Sequence, residues 1–285
     1  MSAFTLAAPA KINLFLHVGG KRADGFHALQ SLVAFTRAGD ALSFAPGDAL
    51  TLTIAGPFAA GLSAGEDNLI LRAARALADG KGAALTLIKN LPVASGIGGG
   101  SADCAATLRG LTQLWGLDRD TAALQKIGET LGSDVPVCIT GRSQWMEGRG
   151  EKVTALPSLP ELPIVLVNPG IGVPTGKVFA ALQERRGVDL PLPPVFSGAG
   201  DLVAYLKDTA NDLEVPARAI APDVNTVLEA IAGAGALLAR MSGSGATCFG
   251  LFDSTDAATQ AGAALRRRHP GWWVAASSLS AGNAA

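Results

Sequence analysis

Leu91-Pro92-Val93-Ala94-Ser95-Gly96-Ile97-Gly98-Gly99-Gly100-Ser101-Ala102-Asp103 is the stretch on which the rest of the chain turns. Four of its residues are glycine. A strand-like run, Ala84-Leu85-Thr86-Leu87-Ile88, precedes it, and a helix-like run with Cys104, Leu108, Leu111 and Trp115 on one face follows. Strand, glycine loop and helix N-terminus together form a phosphate-binding arrangement. Exposed backbone N–H groups and the positive end of the helix dipole both favour an anion.

Two common nucleotide motifs fail on this loop. The dinucleotide fingerprint needs a third glycine, but that position is Ser101 counted from Gly96 and Asp103 counted from Gly98. The Walker loop needs Gly-Lys-Ser/Thr at its end, and Gly100 is followed by Ser101 without a lysine. The protein-kinase strings His-Arg-Asp and Asp-Phe-Gly are also missing. Ser101 then has two compatible readings: a helix cap through its side-chain oxygen, or a hydroxyl facing a phosphate or Mg²⁺.

The whole chain narrows the classes further. With 285 residues it has room for two ordinary domains or one large one. Hydrophobic residues at 48% against 16% charged residues allow a sizeable core and argue against disorder. A net charge of -1 argues against a nucleic-acid partner held by bulk electrostatics. No apolar run reaches the roughly 18 residues of a transmembrane helix, and Met1-Ser2-Ala3-Phe4-Thr5 lacks the regions of a signal peptide. Cys104, Cys138 and Cys248 read as small buried residues in a reducing compartment, not as disulfides or metal ligands. A soluble cytoplasmic protein is expected, with oligomeric state left open.

In chain order, residues 12–18 read as a strand with Ile12, Leu14, Leu16 and Val18 on one face and Asn13, Phe15 and His17 on the other, next to Lys11. Lys11 and Asn13 line either a solvated surface or a cleft for an anionic ligand. Residues 19–27 read as a loop carrying Phe26 and His27. Strands are predicted over 29–35, 40–44 and 50–54, with turns at Gly39-Asp40 and Pro46-Gly47-Asp48. Helices are predicted over 68–79, 101–115 and 121–131, followed by strands around Trp145 and over 152–156. Three prolines between Pro157 and Pro163 mark a stiff linker, which divides the chain into 1–156 and 157–285. Beyond it come a buried-type strand over 164–167, a helix opened by Pro174-Thr175, and a loop over 188–200. Helices near 201–207, 211–220 and 223–233 follow, then strands over 236–241 and 247–252, a helix to Arg268 and a strand over 272–277. This order suggests an α+β sandwich, and a frayed tail is expected over 280–285.

The glycine loop gains meaning beside Pro9-Ala10-Lys11-Ile12-Asn13 and Met241-Ser242-Gly243-Ser244-Gly245-Ala246. Together these strings resemble the small-molecule kinases named for galactokinase, homoserine kinase, mevalonate kinase and phosphomevalonate kinase. Arg22-Ala23-Asp24-Gly25-Phe26-His27, Leu131-Gly132-Ser133-Asp134-Val135-Pro136-Val137 and Pro174-Thr175 with Phe179 are most similar to the members acting on a cytidine-diphosphate-linked methylerythritol. The similarity runs from Pro9 to Phe252.

The resemblance implies a two-domain α+β kinase with its active site in the interdomain cleft. It implies ATP-dependent phosphorylation of the 2-hydroxyl of that cytidine-diphosphate-linked polyol, in non-mevalonate isoprenoid precursor synthesis, with Mg²⁺ on the ATP. Residues 92–102 would hold the ATP phosphates, with Lys89 near the nucleotide. Asp134 would be the general base and Lys11 its charged neighbour. Asn13, Phe26, His27, Thr175 and Phe179 would hold the cytidine substrate. No nucleic-acid or membrane partner is implied, and no protein ligand of a metal is assigned. The alternative within the superfamily is a kinase acting on homoserine or mevalonate.

The chemistry agrees with these roles. A tertiary alcohol is a poor nucleophile at neutral pH, so a carboxylate must take its proton. A neighbouring lysine favours the ionised carboxylate and neutralises charge on the transferring phosphoryl group. Positioning and Mg²⁺ supply most of the rest. Read without the resemblance, Asp134 is equally a helix N-cap ahead of Pro136. Two residues depart from the family pattern: Phe26 stands where tyrosine is common, and Ala102 where a second serine is common.

Overall fold

The computed structural model describes residues 2–280. Its first part contains β1 (Phe4–Asn13), β2 (His17–Lys21), β3 (His27–Ala45), β4 (Leu50–Ala55), α1 (Leu69–Leu77), β5 (Ala83–Ile88), α2 (Gly99–Leu114), α3 (Thr121–Leu131), α4 (Val135–Thr140), β6 (Gln144–Gly148) and β7 (Lys152–Ala155). Its second part contains β8 (Pro163–Asn168), α5 (Thr175–Ala180), α6 (Ala199–Lys207), α7 (Glu214–Ile220), α8 (Asp223–Gly233), β9 (Leu238–Met241), β10 (Cys248–Leu251), α9 (Thr255–Arg268) and β11 (Trp273–Ser278).

Strands β1–β7 form one sheet, ordered β4-β5-β3-β6-β7, with β1 and β2 also paired to β3. Strands β8–β11 form a second sheet, ordered β11-β8-β10-β9. The proline-rich stretch between β7 and β8 carries the chain from one to the other and has no helix or strand of its own.

Side chains alternate across a strand, so a strand buried on both faces feeds two cores. In β3, Leu32 and Ala34 enter one core while Val33 and Phe35 enter the other. In β8, Ile164 and Leu166 divide from Val165 and Val167 in the same way. The core joining the two sheets holds Ile12, Phe15, Trp145, Leu166 and Phe249. Phe15 meets Trp145 edge-on, with ring centroids 5.5 Å apart. The other core lies beneath the helices, including Leu108 and Leu111 of α2 and Ile231 of α8. Asn68, Asp120 and Ser254 cap α1, α3 and α9 by accepting from Ile70, Ala123 and Ala257 N–H. Each such cap is worth about 1 kcal/mol.

All three thiols are buried and free. Burial pushes the Cys104 thiol up to about 12, which leaves it inert as a nucleophile. Among the described residues no helix is long and apolar enough to cross a membrane.

Several sequence expectations need correction. The predicted turn at Gly39-Asp40 does not form: β3 runs unbroken for 19 residues. It spans two neighbours, pairing through residues 29–33 with β6 and through 41–45 with β5. Gly39 is needed for close approach, since a Cβ there would fall 2.5 Å from the Ala8 carbonyl oxygen. Asp40 turns its carboxylate inward and is 2% exposed. The predicted strand over 12–18 breaks at 14–16, because the Leu16 N–H donates to Ala210 O of the second part instead of to β3. Part of the predicted loop over 19–27 is strand, since β2 continues to Lys21. The helix predicted over 211–220 starts later, at Glu214. Short α4 runs from Val135 to Thr140, where the sequence offers only a helix start in the N-cap reading of Asp134. Of the tail over 280–285, residues 281–285 lie outside the described residues.

Candidate active site

A cavity of about 870 Å³ opens between the two parts of the chain. Lys11, Asn13, Lys89, the glycine loop, Asp134 and Arg149 line it from the first part, and Thr175, Phe179, Gly243 and Ser244 from the second. Residues far apart in sequence therefore meet around one space.

The helix after the glycine loop begins two residues earlier than the sequence predicts, at Gly99. Its N-cap is Gly98, in left-handed conformation, and no side chain caps it. Ser101 therefore sits inside the first turn and is not the cap. The first-turn N–H groups of an uncapped helix have no intrahelical acceptor, and here Gly99, Gly100 and Ser101 line the cavity. Residues 92–96 line it too, whereas Ile97 and Ala102 are buried in the cores, 0% and 1% exposed. Ala102, where the resemblance implies a second serine, is thus at a position turned away from the space.

The loop is braced from the second part. The Thr247 N–H donates to Ser95 O at 3.1 Å, and the Ser242 hydroxyl donates to Gly96 O at 3.1 Å. Asn211 Nδ2 in turn holds Met241 O and Gly243 O, each at 2.8 Å. Gly96 has φ +78, and a Cβ there would lie 2.6 Å from Ser242 O and 2.7 Å from Gly245 O. Gly96→Ala is therefore expected to push the two loops apart, with a higher KM for ATP and a lower Tm. Unchanged ATP affinity would show that the brace does not shape the loop.

Lys11 Nζ donates to Asp134 Oδ2 at 2.7 Å across 123 residues of sequence. The lysine is 3% exposed, while the Asp134 side chain is 34% exposed. Asp134 occupies the N-cap position of α4, yet its side chain makes no capping bond and turns to Lys11 instead. Asn13 is buried, with Nδ2 donating to Ser31 Oγ at 2.9 Å, and its backbone N–H donates to Ser242 Oγ at 3.2 Å. Neither Lys11 nor Asn13 is a solvated surface residue.

Lys89 sits beneath the loop between two buried carboxylates, Asp40 Oδ2 at 2.5 Å and Asp103 Oδ2 at 2.7 Å. Asp40 Oδ1 accepts the N–H groups of Asn90 and Leu91 at 2.6 and 2.8 Å. Asp103 Oδ1 has no partner. Burial works against the Lys89 ammonium, but Asp103 and Asp40 outweigh it and hold its pKa above the ordinary lysine value. Burial pushes the Asp103 carboxyl up to about 7, against the pull of Lys89 and with help from Asp40.

A carboxyl whose pKa is raised on folding stabilises the fold fully below its ordinary value, and that contribution is lost as pH rises through the folded pKa. From about pH 4 to about pH 7, the wild-type protein should lose stability relative to Asp103→Asn. The difference in Tm between the two across a pH series measures this. A constant difference would show that Asp103 does not titrate in this range.

His27 and Phe179 stack on one another, with centroids 5.6 Å apart and planes 16° from parallel. Phe26 is exposed, and the Arg149 guanidinium stands 5.5 Å from its ring centroid. Thr175 and Ser244 share a hydroxyl–hydroxyl hydrogen bond of 2.7 Å. Sequence reasoning missed Asp40, Asp103, Ser244 and Arg149 as site residues. Asp103, one turn into a helix that follows a phosphate loop, carried a visible signal; Asp40 resembled an ordinary turn residue.

The uncapped N-terminus of α2 and the Lys11–Asp134 pair line one cavity between the two parts of the chain. The chain matches the models "GHMP kinases N terminal domain" over residues 68–142 and "GHMP kinases C terminal" over 197–271. It is 53% identical to the 4-diphosphocytidyl-2-C-methyl-D-erythritol kinase of Paracoccus denitrificans, with 96% of each chain covered. It is 50% identical to the same-named kinase of Parvibaculum lavamentivorans, over 95% of this chain and 96% of that one. A crystal structure of 4-(cytidine 5'-diphospho)-2C-methyl-D-erythritol kinase superimposes with a TM-score of 0.79 at 32% identity, covering 97% of this chain and 99% of that one. The Leishmania major mevalonate kinase shares the fold, with a TM-score of 0.71 at 19% identity over 97% of this chain and 96% of that one. The chain belongs to the ATP-dependent GHMP kinases and, within them, to the 4-diphosphocytidyl-2-C-methyl-D-erythritol kinase family.

Proposed function

We propose that the protein phosphorylates the 2-hydroxyl of 4-diphosphocytidyl-2-C-methyl-D-erythritol at the expense of ATP, as a cytoplasmic step of isoprenoid precursor synthesis. The observation that carries this reading is the 2.7 Å Lys11–Asp134 pair facing the glycine loop in one cavity. In this reading Asp134 takes the hydroxyl proton as the oxygen attacks the γ-phosphorus. Lys11 offsets negative charge on the transferring group. The N–H groups of Gly99, Gly100 and Ser101 and the α2 dipole hold the nucleotide phosphates. Lys89 shapes the loop from below. Asn13 orders the pocket through Ser31 and Ser242, and Phe26, His27, Thr175 and Phe179 form the cytidine end.

Among the described residues no cluster of His, Cys, Asp and Glu is arranged to hold a metal by itself. Mg²⁺ bound through phosphates and water needs only one or two protein oxygens. The Ser101 hydroxyl would supply such an oxygen at the lining. Mg²⁺ there would screen charge between the phosphates. We divide the chain into domains at 156/157, because β1–β7 and β8–β11 form separate sheets on either side of the proline-rich linker.

ADP release in a coupled assay, with each alcohol offered in turn, tests the substrate. Turnover is expected with the cytidine-diphosphate-linked polyol and not with homoserine or mevalonate. Turnover only on an alcohol lacking cytidine would overturn the reading.

A further inference from the structure

Arg240, near the end of β9, is 6% exposed and forms no ion pair among the described residues. Its guanidinium makes four hydrogen bonds, all to neutral oxygens. Nη1 donates to Leu14 O at 2.7 Å and to Thr209 Oγ1 at 3.1 Å. Nη2 donates to Leu206 O at 2.9 Å and to Thr209 O at 2.7 Å. Leu206 lies in the last turn of α6, where carbonyls lack intrahelical partners and the helix dipole is negative. Burial pulls the guanidinium down to about 10, against the charge of Glu214. It therefore stays charged at neutral pH. Glu214 itself is turned to the Met241 N–H, which its Oε2 accepts at 2.9 Å.

Of the four acceptors, Leu14 O alone belongs to the first part of the chain. It opens the break at 14–16 between β1 and β2, and the second part holds the backbone around that break. The Asn13 N–H donates to Ser242 Oγ at 3.2 Å, and the Val18 N–H to Asp212 Oδ2 at 2.8 Å. The Leu16 N–H donates to Ala210 O, and Leu16 O accepts the Asp212 N–H, each at 2.9 Å. On its other side the same segment meets the glycine loop, where the Lys11 N–H donates to Ile97 O at 2.9 Å. Lys11 and Asn13 are thus carried on a backbone held between the glycine loop and the second part. Arg240 is the buried cation that clamps it. Two residues further on, Ser242 bonds both the Asn13 N–H and Gly96 O. Arg240 does not line the cavity, so it reaches the site only through the backbone it holds.

We propose that Arg240 is a positioning residue for phosphoryl transfer: it fixes the segment carrying Lys11 and Asn13 against the glycine loop. This rests on the kinase reading above and on the part it gives to Lys11. A planar fork suits the task, because its two ends bond oxygens of both parts of the chain at once.

Turnover measured at saturating substrates, well below the Tm of every variant, separates positioning from folding. Arg240→Met is expected to lower kcat about 10-fold or more, since misplacing a reacting group by about 1 Å can cost on the order of 10²-fold. Arg240→Lys keeps the charge and loses the fork, so it should recover part of that loss. The Kd of ATP, by titration, should move less than about 3-fold in both, because the Thr247 N–H still holds Ser95 O. Asp120→Ala, which removes only the cap of α3, is the control: its Tm should fall while kcat stays at the wild-type value. If the Arg240 variants likewise lose Tm and keep kcat, Arg240 is a fold element and the assignment is overturned. A loss of ATP affinity as large as the loss of kcat puts the effect on the nucleotide loop and also overturns it. If Arg240→Met does not fold, Arg240→Lys decides; if neither folds, Arg240 is structural and the assignment is overturned. A wild-type protein that phosphorylates the polyol leaves the substrate reading standing whatever the variants do. A wild-type protein with no turnover of the polyol overturns that reading and this one with it.

Discussion

Asp134→Asn is expected to retain ATP binding and to lower kcat by roughly 10²–10⁴-fold, the range that a positioned general base supplies. The amide keeps the shape of the side chain but cannot accept the proton of the attacking hydroxyl. Two features of the site keep this variant interpretable. The Asp134 side chain caps no helix, so α4 should not depend on its charge. Its hydrogen-bond partner is Lys11, which is nearly fully buried. Some loss of Tm is therefore expected from the weakened ion pair, without loss of the fold. kcat at saturating substrates, ATP affinity by titration and a thermal melt separate the roles. Full turnover would remove Asp134 as the base. An unfolded variant would mean that the residue is structural.

The position of the glycine loop was legible in sequence because its signal is local. Strand, glycines and helix follow one another, and β5 and α2 lie where residues 84–88 and 101–115 placed them, within two residues. Gly98 in place of Ser101 as the N-cap is a three-residue shift, of the size usual for element ends read from sequence. The proline-rich stretch between β7 and β8 has no helix or strand for an equally local reason, since proline restricts the backbone wherever it stands.

What was not legible depends on distant chain. Gly39-Asp40 has the composition of a turn, but β1, β5 and β6 together hold β3 straight through it. The break at 14–16 has its partner at Ala210. The meeting of Lys11 with Asp134, 123 residues away, follows from no spacing rule and was reached only through resemblance. That Arg149 has no ion pair among the described residues was not legible, because it depends on what Arg22 and Glu151 do with each other.

Lys89→Met is expected to cost about 3–5 kcal/mol of stability, the usual result of removing one partner from a buried ionic group. The lysine is 3% exposed, and its two carboxylates, Asp40 at 2% and Asp103 at 4%, are as deeply buried. Without the ammonium the carboxylates are left close together with no counter-charge, and Asp103 must take up a proton. Asp103→Asn should be much milder, because it removes the carboxylate that already titrates near pH 7 and leaves one ammonium on one carboxylate. Adding Asp103→Asn to Lys89→Met should recover part of the loss, and a thermal melt of the single and double variants measures the coupling.

The site of the damage predicts a second readout. A Cβ at Gly99 would lie 3.1 Å from Lys89 Nζ, so the ammonium is directly beneath the first turn of α2. Asp40, through its bonds to the Asn90 and Leu91 N–H groups, ties that ammonium to the entry of the loop. Removing the lysine should loosen both ends of the phosphate cradle, raising KM for ATP at temperatures well below Tm. A lower Tm with unchanged KM would make the trio a fold element only. A raised KM with unchanged Tm would instead make Lys89 a direct ligand of the nucleotide. A fall in Tm together with a rise in KM is the outcome the buried trio requires, since one set of charges ties β3, the end of β5 and α2 to the loop.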